Sequence, residues 1–312
     1  MIGLLSSEWL RMRSRRLVKV LAVLALLGIV VAVVIGAVQS ERPSDDELAR
    51  AEQRAARAYD RCLAKDAFGQ VEPGADVEDF CRAQLDPSIF LREQSLRLSG
   101  LPEILQGSAF IAILIGLVIG ASSVGASWQS GTMTTILTWE PRRVRVFLVR
   151  AAIVALGASA LIAILLGVFL ALFWVATSLR GLTDTPAGWA SEVAGVVARV
   201  SALAGAASII SVAIAMLGRN TAAALGGVFV YLAVFEGIVR GLRPRLGRFL
   251  LGDNIAAVVI GDNLKIFDEA DMTSAGPAFV TITPVRAALV VAIYSLVLMA
   301  VAAIAFRARD VQ

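Results

Sequence analysis

Six apolar stretches, each long enough to cross a membrane as a helix, constrain the fold of this 312-residue chain more than any other feature. The hydrocarbon core of a bilayer requires about 20 apolar residues per helical span. Stretches of that length or longer fall at residues 17–39, 105–126, 146–178, 190–217, 221–240 and 284–306. Because 58% of the residues are hydrophobic, the sequence predicts an all-α integral membrane protein with six transmembrane helices.

Basic residues beside these stretches predict their orientation. Arg11–Lys19 contains five basic residues, and Glu8 is the only acid before it. Arginines also follow the second, fourth and sixth spans, so the positive-inside rule places both termini in the cytoplasm. The sequence pI of about 9.5 therefore reflects membrane orientation and not nucleic-acid binding. One arginine cluster, at 240–248, would lie outside, and it predicts a helix in the outer interface with guanidinium groups near lipid phosphates.

Residues 1–16 predict an amphipathic helix at the cytoplasmic interface. Leu4, Leu5 and Trp9 share one face of that helix, and Ser6 or Ser7 is expected to cap it with Glu8 in the first turn. The alternative, that these residues are only a basic flank of the first span, remains open.

Residues 40–104 predict an extracellular helical hairpin. Between residues 41 and 103 the chain holds 14 acids and 9 bases, unlike the basic flanks of the spans. Ser44 is expected to cap the first helix, and a second helix follows a Pro-Gly break. Cys62 and Cys81, the two cysteines of the chain, fall one in each helix and are expected to form a disulfide on an oxidising face. Two free thiols or a metal pair are the alternatives.

Residues 241–283 form the second predicted outside segment, in which the tripeptide GDN occurs at 252–254 and again at 261–263. Their carboxylate and amide oxygens are calcium-type ligands, but the EF-hand spacing is absent. Two Asn-bearing turns flanking a short apolar helix at 255–260, too short to cross a membrane, are expected instead.

Two charged residues fall inside predicted spans, Arg199 in the fourth and Glu236 in the fifth. An unpaired charge inside a span costs at least about 2.5 kcal/mol, so pairing is expected. A structural ion pair between Arg199 and Glu236 is the preferred prediction. Glu236 with Arg240, four residues on, competes with it, and a substrate contact is the functional alternative.

The predicted cytoplasmic connection between spans two and three, residues 127–145, is unusually patterned: "SWQSGTMTTILTWEPRRVR". Residues 128–139 predict a short interfacial helix with its apolar side chains on one face. Gly131 permits close backbone approach, and Pro141 ends the helix. The arginines that follow are expected to bind lipid phosphates or acidic residues of a partner. The alternative is an ordinary basic loop with tryptophans at the membrane interface.

Together with six spans and a long first outside segment, this connection resembles that of the permeases of type-2 ATP-binding-cassette (ABC) exporters. In that family it runs, loosely, small–Glu–aromatic–x–x–Gly–Thr, then an apolar turn ending in Leu, a Pro and a basic pair. Ser127 stands where the family has its Glu, a position assigned to ATPase docking, and Arg150 stands where Lys is common. The segment at 306–310 resembles the usual tail of that family, and the segment at 242–257 resembles the outside segment of its actinobacterial members. The residues that match, and to which the resemblance gives a role in ATPase coupling, are Trp128, Gly131, Thr132, Leu137, Pro141, Arg142 and Arg143.

The resemblance implies a permease subunit in a bacterial plasma membrane that moves a lipophilic or amphiphilic substrate outward. Two permease chains, identical or homologous, would each dock one nucleotide-binding ATPase subunit, carrying ATP and Mg²⁺, through the helix at 127–143. The substrate path would lie between the permeases, where Gly116, Gly120 and Gly226 suit close helix packing or a narrow cleft. The chain itself has no Walker A sequence and no histidine, so no ATPase or other catalytic site, cofactor or metal is expected in it.

Two functions of other classes remain open. A secondary transporter driven by an ion gradient is one, although the sequence shows no internal repeat and few carboxylates inside spans. A non-transporting membrane subunit that presents the disulfide-linked hairpin is the other.

Overall fold

Helices form most of the chain in the computed structural model, which describes residues 2–64, 77, 78, 81, 85, 87–90, 95–139, 142–273 and 276–308. The helices are α1 Ile2–Ser14, α2 Arg16–Gln39, α3 Asp45–Ala64, α4 Leu101–Gln129, α5 Thr132–Trp139, α6 Arg143–Arg180, α7 Trp189–Gly218, α8 Thr221–Leu242, α9 Leu251–Ile260 and α10 Pro284–Ala308. Two 3₁₀ helices, Pro87–Phe90 and Pro244–Phe249, and two strands, β1 Leu264–Thr273 and β2 Gly276–Ile282, are also present.

Six of these helices, α2, α4, α6, α7, α8 and α10, are long and apolar enough to cross a membrane. Each of them contains one predicted span in full, so the prediction of six long apolar helices is confirmed. α6 has 38 residues. At 1.5 Å per residue it is about 57 Å long, well beyond the roughly 30 Å hydrocarbon thickness. α8 contains a π-helical segment, Val230–Phe235, immediately before Glu236.

The chain forms two compact units, of which the first comprises Met1–Gly28, Gly100–Val168 and Ala187–Gln312. Its centre is the packing of α4 along α7, the two candidate spans with the largest buried share. Gly116 of α4 lies against the backbone of Ala204, and Gly120 lies against Ser208. The small residues thus allow close backbone approach, as predicted for these two glycines. Gly226, in contrast, has open space where a side chain would be.

The second unit comprises Ile29–Ser99 and Phe169–Pro186. Ser40 is buried in this unit, where its hydroxyl donates to the Arg180 carbonyl at 2.9 Å and accepts from the Leu96 amide at 2.8 Å. Leu182 exchanges backbone hydrogen bonds with Leu96 and Leu98 at 2.9 and 3.0 Å. These bonds hold together three segments that are far apart in sequence.

The predicted disulfide between Cys62 and Cys81 is confirmed. It joins the last turn of α3 to a residue in helical conformation at position 81, with Cα atoms 6.0 Å apart. Ser44 caps α3 as predicted, since its hydroxyl accepts the Glu47 amide at 3.3 Å. Most of the second predicted helix of the hairpin lies outside the described residues.

An antiparallel β-hairpin follows α9 and departs from the predicted all-α fold. Leu264 lies opposite Ile282 and Ile266 opposite Val280. Apolar and β-branched residues near these ends favour extended backbone. The sequence signal for strands is weak because the acidic run 268–271 interrupts the alternation of apolar and polar residues. In the structure, the pairing of the two strands shifts its register between Asp268 and Thr273.

The two GDN tripeptides have different structures. The first, 252–254, lies in the first turn of α9, so the prediction of a turn there is wrong. Its Asn254 is buried and donates to the Leu250 carbonyl at 2.6 Å. The second begins at Gly261, which ends α9 at a φ of 76°, a conformation that favours glycine. That turn is confirmed.

Candidate functional site

The connection between α4 and α6 contains the short helix that the sequence predicts. α4 ends at Gln129, Gly131 turns the chain at a φ of 67°, and α5 begins at the next residue, Thr132. A non-glycine residue at this φ would be strained, so Gly131 is needed here for its conformational freedom. The predicted close backbone approach at Gly131 is wrong, because no described atom lies within 4 Å of where its Cβ would be. Pro141 lies outside the described residues, and the side chain of Leu137 is likewise not described, although its backbone is helical.

α5 has two distinct faces. Met133 is fully buried and Ile136 nearly so. Thr132, Thr135 and Thr138, which are spaced three residues apart and therefore share one side of the helix, are exposed. The helix is thus anchored by apolar side chains and presents hydroxyl groups on its free side.

A buried ion pair lies beneath the apolar face of α5. Arg150 of α6 donates to both carboxylate oxygens of Glu8 of α1, each at 3.0 Å, and the two residues are only 2% and 6% exposed. The same guanidinium donates to the Met133 sulfur at 3.6 Å. The bidentate geometry compensates the loss of hydration that burial of two charges entails. Through this contact α1, α5 and α6 meet at one point.

The ion pair corrects the sequence-based description of the N-terminal helix. α1 begins at Ile2, so Ser6 and Ser7 lie within it and do not cap it. Trp9 is 45% exposed, whereas Glu8 and Met12, one turn apart on the same face, are buried. The face that packs against the protein therefore carries a carboxylate, which the apolar pattern of the sequence does not reveal.

Arg15, which lies between α1 and α2, forms hydrogen bonds with the last turns of α4. It donates to the carbonyls of Ser122 and Ser123 at 2.8 and 2.9 Å and to the Ser127 hydroxyl at 3.4 Å. Burial, and next the positive charge of Arg150, lower the pKa of Arg15 below its usual range. Ser127, where the resembled family has its Glu, is buried and faces Arg15, so a side chain at this position does not reach the exposed side of α5.

Trp128 also points inward, unlike the partner-facing role that the resemblance implies. Its ring meets Phe306 of α10 edge-on at 6.2 Å, and the guanidinium of Arg219, which follows α7, lies 4.7 Å from the ring centre. A cation over an indole face and an edge-to-face aromatic pair are both stabilising arrangements. Trp128 thus links the ends of α4, α7 and α10, while Arg142 is exposed and Arg143 half-buried at the start of α6.

Arg199 and Glu236 do not pair with each other, contrary to the preferred prediction. Glu236 is buried, and both of its oxygens accept the Gly252 amide, at 3.0 and 3.1 Å, in the first turn of α9. Arg199 donates to the carbonyl of Ile260, the last residue of α9, at 3.5 Å. Arg240 lies 3.8 Å from the Glu236 carboxylate and also binds Asp253 at 2.6 Å. The competing Glu236–Arg240 pair is therefore the one formed.

The two charges occupy opposite ends of α9 instead. A carboxylate at the amino end of a helix and a guanidinium at its carboxyl end both oppose the helix dipole favourably. The N-cap residue of α9, Leu250, makes no side-chain hydrogen bond to the helix. The Glu236 carboxylate instead accepts a backbone N–H of the first turn of α9. Both residues were identifiable in the sequence as charges within apolar stretches, but the sequence did not indicate that they hydrogen-bond to the two ends of α9.

No family model matches this chain, and comparison with curated proteins and with solved structures found no match.

Proposed function

We propose that this chain is the permease subunit of an ABC exporter and that α5 is the helix on which a separate ATPase acts. The observation that carries the proposal is the division of α5 into a buried apolar face and a free face of three threonines. A short anchored helix between two candidate spans, with small polar groups on its free side, suits contact with a protein partner. The sequence resemblance of the 127–143 segment to the ABC exporter permeases supports the same role.

In this proposal, a displacement of α5 is transmitted to the candidate spans α2 and α6 through the buried ion pair of Glu8 and Arg150. Met133 of α5 contacts Arg150 of α6, and Arg150 holds Glu8 of α1. α1 is followed directly by Arg15 and α2, so movement of α5 acts on the first and third candidate spans together. Closely packed groups transmit such shifts as rigid units.

The partners follow from the resemblance. Two ATPase subunits, which bind ATP and Mg²⁺, would serve two permease chains, identical or homologous, in a bacterial plasma membrane. The N-terminus, α5 and the C-terminus would face the cytoplasm, as the distribution of basic residues predicts. A lipophilic or amphiphilic molecule would be moved outward between the two permeases.

The first test is whether the adjacent reading frame encodes a soluble ATPase, and the second is co-purification of that candidate ATPase with this chain, combined with its ATP hydrolysis. Thr135→Trp places a bulky side chain on the free face of α5 and is expected to weaken complex formation about tenfold, as expected when the centre of an interface is disturbed. Thr185→Trp, in the exposed connection after α6, is the matched control and should leave the complex intact. Equal co-purification with both variants would show that α5 is not the docking helix. Absence of any ATPase with the unaltered chain would overturn the exporter proposal.

A further inference from the structure

An open cavity of about 660 Å³ lies where the start of α6 meets the end of α10. Four arginines line it, three from the first residues of α6 and its preceding position and one from the opposite end of the chain: Arg142, Arg143, Arg145 and Arg307. Its remaining lining is apolar and consists of Val144, Leu148 and Val149. Among the described residues, no acidic side chain lines this cavity.

The cavity has an unmet hydrogen-bonding requirement. Arg145 Nε is buried and has no hydrogen-bond partner among the described residues. A buried N–H without an acceptor is unfavourable, and a cationic one strongly favours an anionic acceptor. The amino end of α6 adds backbone N–H groups and a positive dipole end at the same place. The cavity is therefore suited to an anion.

The apolar side of the cavity continues along α6. Leu148 is 47% exposed, and Leu156 and Ile164 further along the helix are 66% and 63% exposed. Residues four apart are neighbours on a helix surface, so the exposed series 148, 152, 156, 160 and 164 forms one continuous ridge. A ligand with a negatively charged headgroup and a long apolar tail would contact the arginines of the cavity and the apolar ridge of α6 at the same time.

We propose that this arginine cavity, defined by Arg142, Arg143, Arg145 and Arg307, binds the headgroup of an anionic phospholipid whose acyl chains lie along the ridge of α6. Planar guanidinium groups match the oxygens of a phosphodiester, and basic pockets between helices at the membrane surface bind anionic lipid headgroups. An acidic peptide from a protein partner would supply an acceptor for Arg145 Nε but would make no use of the apolar ridge. The lipid is therefore the occupant that fits both parts.

Native mass spectrometry of the full chain in a neutral detergent tests this site. Phosphatidylglycerol is the probe, with phosphatidylcholine and sn-glycerol 3-phosphate as comparison ligands. Arg145→Gln and Arg307→Gln should each weaken phosphatidylglycerol binding about fivefold, and together about 25-fold, the loss expected when basic residues near an anionic surface are neutralised. Arg180→Gln is the matched control, because Arg180 is an exposed arginine at the opposite end of α6.

The comparison ligands distinguish the source of the anion. Phosphatidylcholine should bind no better to the unaltered chain than to the double variant, and glycerol phosphate should not displace phosphatidylglycerol at equal concentration. Displacement by glycerol phosphate would show an anion site that ignores the acyl chains and would overturn the lipid assignment. Unchanged phosphatidylglycerol affinity in the double variant would also overturn it. If that variant instead lost the ATPase in co-purification, the arginines would bind the protein partner, which leaves the exporter proposal standing and removes this one.

Discussion

At the scale of single residues, the buried pair of Glu8 and Arg150 is the contact on which α1, α5 and α6 depend. Among the residues whose side chains are described, Arg150 is the largest that is almost completely buried, and Glu8 meets it with both carboxylate oxygens. Such a pair contributes little over an apolar replacement, but removal of one partner leaves a buried charge without compensation. Each residue is therefore needed because the other is present.

Glu8→Gln is expected to lower the free energy of unfolding by about 3–5 kcal/mol, because Arg150 keeps its charge and loses its counter-ion. Unfolding in detergent, followed by circular dichroism, measures the change. Arg11→Gln is the control, since Arg11 is 45% exposed and 3.4 Å from Glu8, and should change stability by less than about 1 kcal/mol. A double variant with Glu8→Gln and Arg150→Met should recover part of the loss. Similar effects of Glu8→Gln and Arg11→Gln would contradict this account.

The ion pair between Glu8 and Arg150 could not be predicted from the sequence. Glu8 is conspicuous as the one acid before five bases, and Arg150 as a charge at the start of a span. Nothing local connects two residues separated by 142 positions. The same limit applies to Ser127 and Trp128, whose inward orientation depends on Arg15 and on Phe306 at the end of the chain. Residue types indicated that this region is special, but contacts distant in sequence decided which side chains face out.

At the scale of elements, α9 explains how two charges can lie within apolar stretches without pairing. Glu236 accepts at its first turn and Arg199 donates at its last residue. Residues 252 and 260 are eight positions apart, about 12 Å along a helix at 1.5 Å per residue. The charges act on the same helix from opposite ends.

Arg199→Gln and Glu236→Gln are expected to be additive. Their double-mutant coupling energy should be within about 0.5 kcal/mol of zero, because the two side chains share no partner. Glu236→Gln combined with Arg240→Gln is the comparison and should show coupling, since those groups are 3.8 Å apart. Unfolding free energies in detergent give both values. If the Arg199–Glu236 double variant recovered stability relative to the single variants, the two residues would form the ion pair that the sequence predicts, and additivity would be wrong.

The packing of α4 on α7 gives a second prediction at this scale. Gly120→Ala should destabilise the protein by about 1–3 kcal/mol, because the added methyl group would overlap Ser208 and Ser211. Gly107→Ala in the same helix is the matched control, since nothing lies within 4 Å of its added atom. That control should be neutral or stabilising by up to about 1 kcal/mol, as alanine favours helix over glycine. Equal losses from the two variants would show that α4 and α7 are not in close contact.

Elements with long apolar stretches or clear local chemistry were predictable from the sequence, and those with weak local signals were not. The six long helices follow from apolar length alone, and the α3 cap and the disulfide follow from local chemistry. The β-hairpin was missed because acidic residues obscure its alternation. The first GDN was assigned to a turn because Gly, Asp and Asn usually favour turns, yet Asn254 is buried in the first turn of α9, where its side-chain amide nitrogen donates to the Leu250 carbonyl.

At the scale of the whole molecule, the prediction concerns sidedness. If α6 crosses a membrane, Thr135 before it and Thr185 after it lie on opposite sides. Cys62 and Cys81 are the only cysteines and form a disulfide, so an introduced cysteine is the one free thiol. In intact cells, an impermeant maleimide should label Thr185→Cys and should label Thr135→Cys only after the membrane is opened. Labelling of both variants in intact cells would contradict the predicted orientation.

Whether α5 contacts an ATPase is the central claim, and site-specific photo-crosslinking measures it most directly. Thr135→Cys carries a benzophenone maleimide in membranes that also contain the candidate ATPase subunit, with Thr185→Cys as the matched position after α6. We expect a light-dependent product of this chain with the ATPase from position 135 and none from position 185. No product from position 135, while the ATPase is present in the same membranes, would contradict it.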